Sequence, residues 1–157
     1  MAYSTRVRYG LRLLVRLVVQ QKTSRHLSMS EIAQEEGISV KYLEQIVSLL
    51  KPLGILESVR GARGGYGLAC SPSDIFMDKV FEALGGLNAP APCIGDAGCC
   101  TRVDVCTTRL FWEKLGDYRR EYLRGISLAD VAADAPKDGL EFRTDLKLAK
   151  HGSCPCP

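Results

Sequence analysis

Two short helical patterns joined by one glycine, with a hairpin pattern directly after them, constrain the fold of this 157-residue chain more than any other feature. Ser28 followed by Glu31 is a capping-box signature, which predicts a helix over residues 29–36. Gly37 can end that helix because glycine tolerates the left-handed backbone of a tight turn. A second helix is predicted over about residues 40–51, so the pair should form a helix–turn–helix.

The hairpin pattern begins at residues 55–60, ILESVR, whose composition is typical of a strand. GARGG then supplies a glycine-rich turn, and YGLA is the returning strand. A helix–turn–helix followed by a two-stranded hairpin is the arrangement of a winged helix. The fold is therefore predicted to be mainly α with a small β-hairpin wing.

The other periodic segments are helical. Apolar spacing predicts helices over residues 3–20, 74–84 and 106–124, and Ser127 caps a short last helix. The 106–124 helix repeats apolar residues at spacings of four, three and four: Phe111, Leu115, Tyr118 and Tyr122. Such a seam suits a partner helix, so we expect a winged helix–turn–helix with a long dimerisation helix, in a homodimer.

Charge and side-chain chemistry indicate a DNA-binding surface in the first half of the chain. Residues 1–70 hold ten Lys and Arg against five Asp and Glu, a net +5, whereas residues 71–157 hold eleven against thirteen, a net −2. Gln and Glu can read base edges, and Lys, Tyr and Arg can hold phosphates or enter a narrow minor groove. The expected contacts on the second short helix and the wing are Ser39, Lys41, Tyr42, Glu44, Gln45, Arg60 and Arg63.

The second half of the chain is dominated by cysteine. Four of the seven cysteines fall between residues 93 and 106, in a stretch without regular periodicity. No apolar run approaches the length of a membrane span, and the basic start lacks the pattern of a signal peptide, so we expect a cytoplasmic protein without structural disulfides. Thiols this dense in such a protein usually hold a metal or sense redox state.

These patterns divide the chain into four parts. Residues 1–88 should form the winged helix–turn–helix DNA-binding domain, and residues 89–105 a cysteine-rich loop that holds a cluster. Residues 106–132 should supply the dimerisation helix and the short C-terminal helix. Residues 133–157 lack a periodic apolar face, so we expect a disordered tail.

The segment ISVKYLEQIVSLLKPLGILESVRGARGGYGLA resembles the recognition helix and wing of the IscR/NsrR-type winged-helix transcription regulators, whose relatives include RirA and CymR. The resemblance covers about residues 1–132, and the YLEQ and VRGxxGGY segments carry it. It implies that Lys41, Glu44 and Gln45 lie on the base-reading helix and that Arg60 enters the minor groove.

Family members with a cluster carry three cysteines between the fourth helix and the dimerisation helix. Cys93, Cys99 and Cys106 fit that arrangement, and Cys100 is an alternative to Cys99 or a fourth ligand. The resemblance therefore implies a [2Fe–2S] or [4Fe–4S] iron–sulfur cluster. Zinc competes less well because its tetrahedral sites favour shorter Cys-x₂₋₄-Cys spacing, and a bare thiol switch stays open.

The chain departs from the family pattern at the fourth ligand. IscR-type proteins use a histidine three residues after the third cysteine, where Arg109 stands, and NsrR-type proteins use a carboxylate at a position matching Arg8. Arginine cannot ligate iron. The remaining candidates are a small exogenous ligand and five side chains: Cys100, Asp96, Asp104, Cys154 and Cys156.

The sequence predicts a homodimeric transcription regulator, expected to be a repressor, whose cluster senses iron–sulfur status, redox state or nitric oxide. The alternative is a cluster-free or thiol-switch winged-helix regulator controlled by a metabolite or a partner protein. An iron–sulfur or thiol oxidoreductase is the rival from another class. We do not expect the protein to be an enzyme or to act on a small-molecule substrate, because the sequence contains no cofactor-binding loop and no nucleophile–base pair.

Overall fold

The computed structural model describes residues 3–21, 26–61 and 64–134, and within these ranges it contains seven α-helices and one antiparallel pair of strands. In chain order the elements are α1 (Thr5–Gln21), α2 (Met29–Glu36), α3 (Val40–Leu50), β1 (Leu56–Val59), β2 (Gly65–Leu68), α4 (Met77–Ala83), α5 (Pro92–Gly95), α6 (Arg109–Arg124) and α7 (Leu128–Ala133). This mainly helical architecture with one hairpin confirms the predicted fold class. No helix in the described ranges has the length and apolar character needed to cross a membrane.

The helix–turn–helix forms where its capping residues predict it. The Ser28 hydroxyl accepts a hydrogen bond from the Glu31 backbone N–H at 3.2 Å, and the Ser28 N–H donates to the Glu31 carboxylate at 2.8 Å. Gly37 ends α2 with φ of 64°, in the left-handed region that favours glycine. Two reciprocal bonds at the start and one glycine at the end therefore fix the length of α2.

One hydrophobic core holds the helices together. The core draws fully buried side chains from α1, α2, α3, α4 and α7, among them Leu13, Leu14, Ile32, Leu43, Ile46, Leu50, Val80 and Leu128. Such side chains each contribute roughly 1.5–3 kcal/mol when they leave water. The recognition helix α3 is therefore supported from several sides.

A short bridge joins the wing to the segment before α2. The strands pair from Leu56 opposite Leu68 to Val59 opposite Gly65. The Tyr66 N–H also donates to the Leu27 carbonyl oxygen at 2.8 Å. A Cβ at Gly65 would lie 2.4 Å from that same carbonyl oxygen, so only glycine permits this close approach.

The fourth helix begins later than the sequence predicts. A helix was expected over residues 74–84, but α4 begins at Met77 because Ile75 and the residue after it are extended. The Leu128 N–H donates to the Ile75 carbonyl oxygen at 2.8 Å, and the Met77 N–H donates to the Ile126 carbonyl oxygen at 2.9 Å. This backbone pairing with a segment fifty residues away is invisible to local periodicity.

The dimerisation-helix prediction needs a similar correction. The helix was expected from residue 106, but α6 begins at Arg109, and residues 103–105 form a 3₁₀ turn. Short turns also replace the irregular stretch expected over residues 93–105. A disordered tail was predicted over residues 133–157, but Ala133 still belongs to α7, and residues 135–157 lie outside the described residues.

The C-terminal end of α6 and the whole of α7 belong to the common core. Leu123 and Leu128 are buried in it, and α7 packs against α1. Arg124 Nε lies 3.6 Å from the Asp78 carboxylate, which is itself buried in α4. The long helix is therefore anchored to the winged-helix core at one end.

Candidate nucleic-acid interface and cysteine loop

The α3 helix presents one polar face to solvent. Lys41, Glu44 and Gln45 are exposed, as is Ser48, whose hydroxyl donates to the Gln45 carbonyl oxygen at 2.8 Å. The opposite face of α3 is buried in the core. A helix with one polar and one buried face can enter a major groove. Its amide, carboxylate and ammonium groups then face the bases while its apolar side stays packed in the core.

Two of the predicted DNA contacts also hold the fold together. The exposed Ser39 hydroxyl accepts from the Tyr42 N–H at 3.3 Å and caps α3. The Tyr42 ring is half-buried and packs edge-on against Tyr9, with the ring centroids 5.9 Å apart. Tyr9 in turn lies 5.5 Å from the Arg12 guanidinium carbon. The Tyr42 ring thus packs α3 against α1, and this structural role is separate from the DNA contact predicted for the residue.

The wing is fastened to the end of the recognition helix. Lys51 Nζ donates to the Ser58 hydroxyl at 2.8 Å and so connects the turn after α3 with β1. Arg60 follows β1 and is exposed, and Gly61 carries the chain into the turn with φ of 116°. The structure therefore offers Arg60 beside the recognition helix, while Arg63 lies outside the described residues.

Two arginines of the basic half are engaged in ion pairs that sequence reasoning missed. Arg12 Nε lies 2.9 Å from one Glu36 carboxylate oxygen, and Arg16 Nε lies 3.0 Å from the other and 3.4 Å from Glu35. The partners are separated by 19 to 24 residues, so no local spacing signals the pairing. These contacts fix α1 to the end of α2 and reduce the charge that α1 can offer to phosphate.

The cysteine loop, residues 92–106, leads into the start of α6. Cys93 lies on the single turn of α5 and is half-buried. Cys99 and Cys100 are exposed in the middle of the loop, and Cys106 is half-buried three residues before α6 begins. The loop ends are therefore partly sheltered and its centre is open to solvent.

Several hydrogen-bond donors surround the Cys106 sulfur. The Thr108 hydroxyl lies 3.5 Å from the Cys106 sulfur, and hydrogen bonds from the side chain and backbone of Thr108 lower the pKa of Cys106. The Arg109 N–H and the charge of Arg102 act in the same direction. A thiolate at this position is favoured because it gathers several donors at the start of a long helix, and the thiolate is the form that binds metals.

Cys99 behaves in the opposite way. Partial loss of solvent around its sulfur, followed by the negative charges of Asp96, Cys93 and Cys100, raises the pKa of Cys99. Asp96 is also fixed locally, since its carboxylate accepts from the Gly98 N–H at 2.9 Å. The thiols at the centre of the loop therefore repel one another when ionised, and a bound cation would relieve that repulsion.

The donor chemistry of the loop fits a soft metal centre, but its conformation is open. Four thiols on one stretch of chain are the ligands that iron–sulfur clusters require. In the described part of the chain, however, no three His, Cys, Asp or Glu side chains come together as a metal site would need. Cys93, Cys99 and Cys106 therefore have the side chains that a cluster needs, but their sulfur atoms are not gathered at one point. Binding a cluster would require the loop to close.

The two arginines at the family's fourth-ligand positions have other contacts. Arg109 Nε lies 2.8 Å from the Glu113 carboxylate, and Arg109 Nη1 donates to the Cys93 carbonyl oxygen at 3.4 Å. Arg8 Nη2 donates to the Thr5 hydroxyl at 3.4 Å. Arg109 therefore faces the cysteine loop and binds its backbone.

One face of α6 is apolar and uncovered within the described chain. The residues of the predicted seam all expose a large part of their surface: Phe111 (61%), Leu115 (42%), Tyr118 (70%) and Tyr122 (70%). At about 100° per residue they share one side of the helix, away from the stripe that faces the core. Large aromatic side chains are costly to leave in water, so this face has the composition of an interface.

Comparison with known proteins places the chain among regulators. The profile of the Rrf2 family, described as an iron-dependent transcriptional regulator, matches residues 3–134. The protein rrf2 of Nitratidesulfovibrio vulgaris Hildenborough is 38% identical over 135 residues, which cover 86% of this chain and 89% of that protein. The IscR regulator of Escherichia coli is 31% identical over 134 residues, covering 76% of this chain and 82% of IscR.

Solved structures agree with the sequence comparison. CymR of B. subtilis, the global cysteine regulator, matches with a TM-score of 0.69 and 30% identity, over 87% of this chain and 99% of CymR. IscR of T. potens matches with a TM-score of 0.69 and 31% identity, over 88% of this chain and 90% of that one. A profile match over nearly all the described residues, joined to these relatives, shows that the chain belongs to the Rrf2 family of winged-helix transcriptional regulators.

Proposed function

We propose that this protein is a cytoplasmic, homodimeric DNA-binding repressor whose operator affinity responds to an iron–sulfur cluster held by the cysteine loop. One observation carries the proposal. Cys106 lies three residues before α6 and the Cys93 carbonyl oxygen accepts from Arg109 in its first turn, while the other end of α6 is packed into the core that supports α3. A change at the loop therefore has a physical route to the DNA-reading surface.

The DNA-binding part of the proposal is supported by the surface of the winged helix. Lys41, Glu44 and Gln45 are exposed on α3, and Arg60 is exposed on the wing, which is fastened to the end of α3 through Lys51 and Ser58. Direct reading of bases would fall to the α3 side chains, and Arg60 would hold phosphate or enter the minor groove. The uncovered face of α6 supports a two-fold dimer, which would present two such surfaces to one operator.

The cluster part is supported by the donor set and by the relatives. Cys93 and Cys106 would hold the cluster together with Cys99 or Cys100. When bound, the cluster would supply electron transfer and reactivity toward oxygen or nitric oxide. The fourth ligand would come from Cys100, Asp96, Asp104, a tail thiol (Cys154 or Cys156) or a small exogenous molecule, because Arg109 and Arg8 cannot ligate iron.

The protein's own part in the response is a change of population. The loop closes to gather its thiols, and α6 shifts where it meets the loop. Because Arg124 is paired with the buried Asp78 and Leu123 is buried in the core, a shift of α6 changes the orientation of the DNA-binding core relative to the dimer axis. Operator affinity changes with the separation of the two recognition helices.

Anaerobic isolation of the full chain tests the cluster directly. Iron and sulfide should be present in stoichiometric amounts, with visible absorbance, and Cys93→Ala, Cys99→Ala and Cys106→Ala should each remove most of the iron. Cys70→Ala is the matched control, since Cys70 is exposed but lies after β2, outside the cysteine loop. Stoichiometric zinc without iron would contradict the proposal.

The alternative is a thiol-switch regulator without a cluster, of the kind suggested by the CymR structures. The open conformation of the loop and the lowered pKa of Cys106 favour it. Metal-free protein whose DNA affinity falls on treatment with peroxide and recovers with a thiol reductant would replace the cluster proposal with this one.

A further inference from the structure

We propose that Arg109 is a positioning residue that holds Cys93 beside Cys106 before any metal arrives. The role of Arg109 in metal binding rests on the proposed function. The contacts that Arg109 makes are present in the protein without a cluster. Arg109 reaches the backbone of the cysteine loop from the first turn of α6.

The segment from Asn88 to Cys93, which leads into the cysteine loop, runs along α6 and contacts it at three points. The Arg119 guanidinium donates to the Asn88 carbonyl oxygen near one end. At Gly116 an added Cβ would lie 3.2 Å from the Pro90 ring, so this segment and α6 pack closely there. Arg109 Nη1 donates to the Cys93 carbonyl oxygen at the other end, at 3.4 Å.

Two of these three contacts are hydrogen bonds from an arginine to a backbone carbonyl oxygen. They hold the path of the chain independently of which side chains the segment carries. Residues 109, 116 and 119 share one side of α6, about 120° from the apolar face formed by Phe111 and its neighbours. The segment and a partner helix can therefore occupy α6 at the same time.

The side chain of Arg109 is itself held in place. Its Nε lies 2.8 Å from the Glu113 carboxylate one turn later, and its side chain is 28% exposed. A guanidinium is planar and carries donors in a fixed fork, so fixing Nε also directs Nη1. Glu113 thus aims the donor of Arg109 at the Cys93 carbonyl oxygen.

Arg109 also contacts the other end of the loop. Its backbone N–H donates to the Cys106 carbonyl oxygen at 3.4 Å, while its side chain donates to that of Cys93 at the same distance. One residue therefore binds the backbones of both half-buried cysteines. The two exposed cysteines between them, Cys99 and Cys100, have no such connection to α6 in the described contacts.

This arrangement lowers the entropy that metal binding must overcome. Bringing the ends of a flexible loop of about a dozen residues together is unfavourable, and here the ends are joined in advance. The backbones of Cys93 and Cys106 are held at the start of α6, and the exposed centre of the loop would bring the third thiol. Arg109 contributes positioning and no ligand, since a guanidinium offers no acceptor.

Hydrogen exchange in the metal-free full-length protein tests the contact without reference to a cluster. Arg109→Gln should increase amide exchange in residues 91–96 by roughly tenfold, the change expected from one charge-assisted hydrogen bond. Exchange in the core helices and the thermal midpoint should stay as in the wild type. Arg120→Gln is the matched control, since Arg120 is an exposed arginine on the same helix.

Two further variants separate position from charge. Glu113→Gln should also increase exchange over residues 91–96, by less than Arg109→Gln, because it leaves the donor present but no longer aimed. Arg109→Lys keeps the charge without the fork, so it should lie between Arg109→Gln and the wild type. If Arg109→Gln protein exchanges like the Arg120→Gln control over residues 91–96, the inference is overturned.

Iron retention then links the contact to the metal. After anaerobic reconstitution, Arg109→Gln protein should lose iron to a chelator roughly tenfold faster than the wild type and Arg120→Gln. A wild-type protein that takes up no iron refutes the proposed function and leaves the exchange result as the test of Arg109. An iron-loaded wild type with equal loss from Arg109→Gln refutes the positioning role alone.

Discussion

Polar side chains of the helix–turn–helix divide into those that the fold uses and those that it leaves free. Ser39 caps α3 and Tyr42 packs on Tyr9, whereas Gln45 and Arg60 are exposed. Both groups were expected to contact DNA because their chemistry suits it. The sequence could not separate them, since the packing of Tyr42 depends on a residue in another helix.

At this scale Gln45→Ala and Arg60→Ala should have different effects on DNA binding. Gln45→Ala removes a group that reads a base edge, so it should relax preference at one operator position at a cost of roughly 1–3 kcal/mol. Arg60→Ala removes a cation, so it should weaken binding to all sequences and reduce the slope of log K against log salt by about one. Binding titrations at several salt concentrations measure both quantities.

Lys79→Ala provides the control for charge, because Lys79 is exposed on α4 and is outside the predicted DNA contacts. It should leave the salt slope unchanged. Wild-type binding by both Gln45→Ala and Arg60→Ala would show that the predicted docking of α3 and the wing is wrong.

At the scale of elements, local signals predicted what local contacts determine. The capping box of Ser28 and Glu31 and the turn at Gly37 are confirmed because each depends on residues within one helical turn. The start of α4 was wrong because Ile75 pairs with the backbone near α7. The close approach at Gly65 was also unforeseen, although its glycine was correctly taken as part of the wing region.

The wing should be sensitive to a single methyl group. In Gly65→Ala the new Cβ would meet the Leu27 carbonyl oxygen at 2.4 Å, which is backbone and cannot rotate away. We expect a loss of roughly 1–3 kcal/mol in the free energy of unfolding, with weaker DNA binding because the strand must move. Urea unfolding and operator titration measure the two effects.

Gly98→Ala is a suitable comparison, since Gly98 lies in the exposed cysteine loop, far along the chain from the wing. It should leave the urea midpoint near that of the wild type. A Gly65→Ala protein as stable as Gly98→Ala would show that Gly65 has room for a side chain.

The cap of α7 predicts a pH dependence of stability. Ser127 donates to the Asp130 carboxylate from its hydroxyl at 2.6 Å and from its N–H at 2.9 Å, and these bonds lower the pKa of Asp130. A lowered folded-state pKa stabilises the protein above the unfolded-state value of about 3.9. That stabilisation is lost as the pH falls through the folded-state pKa.

Asp130→Asn should therefore be less stable than the wild type at neutral pH, and the difference should shrink as the pH falls below about 4. Urea midpoints measured from pH 7 down to about pH 3 test this. A difference that stays constant across that range would show that ionisation of Asp130 does not contribute to the cap.

At the scale of the whole molecule, the exposed face of α6 is the surface through which we propose that two chains assemble. The seam was predicted from spacing alone, and the structure shows its four residues exposed within one chain. What the sequence could not predict is the opposite side of α6, where the segment before the cysteine loop lies. Its contacts join Arg109 and Arg119 to backbone carbonyl oxygens, and no side-chain pattern indicates a backbone acceptor.

Tyr118→Arg should convert the dimer to a monomer, because it places a charge in the centre of an apolar interface. Sedimentation velocity should show half the mass, and operator protection should fall from two half-sites about 10 bp apart to weak binding of one. Asp117→Arg introduces the same residue at an exposed neighbouring position on another side of α6, and should remain dimeric. A Tyr118→Arg protein that sediments as a dimer would place the interface elsewhere.

Because α6 is anchored to the core near its C-terminal end, a displacement of its N-terminal end would tilt the helix. Its 16 residues extend about 24 Å, from the N-terminal end that follows Cys106 to the ion pair between the exposed Arg124 and the buried Asp78 of α4. A contraction of about 2 Å at the N-terminal end corresponds to a tilt of about 5° at the anchored end over that length. In the proposed mechanism, the buried Leu123 and this ion pair act as the pivot of α6, so their stiffness would determine how much of a movement in the cysteine loop reaches the DNA-binding core.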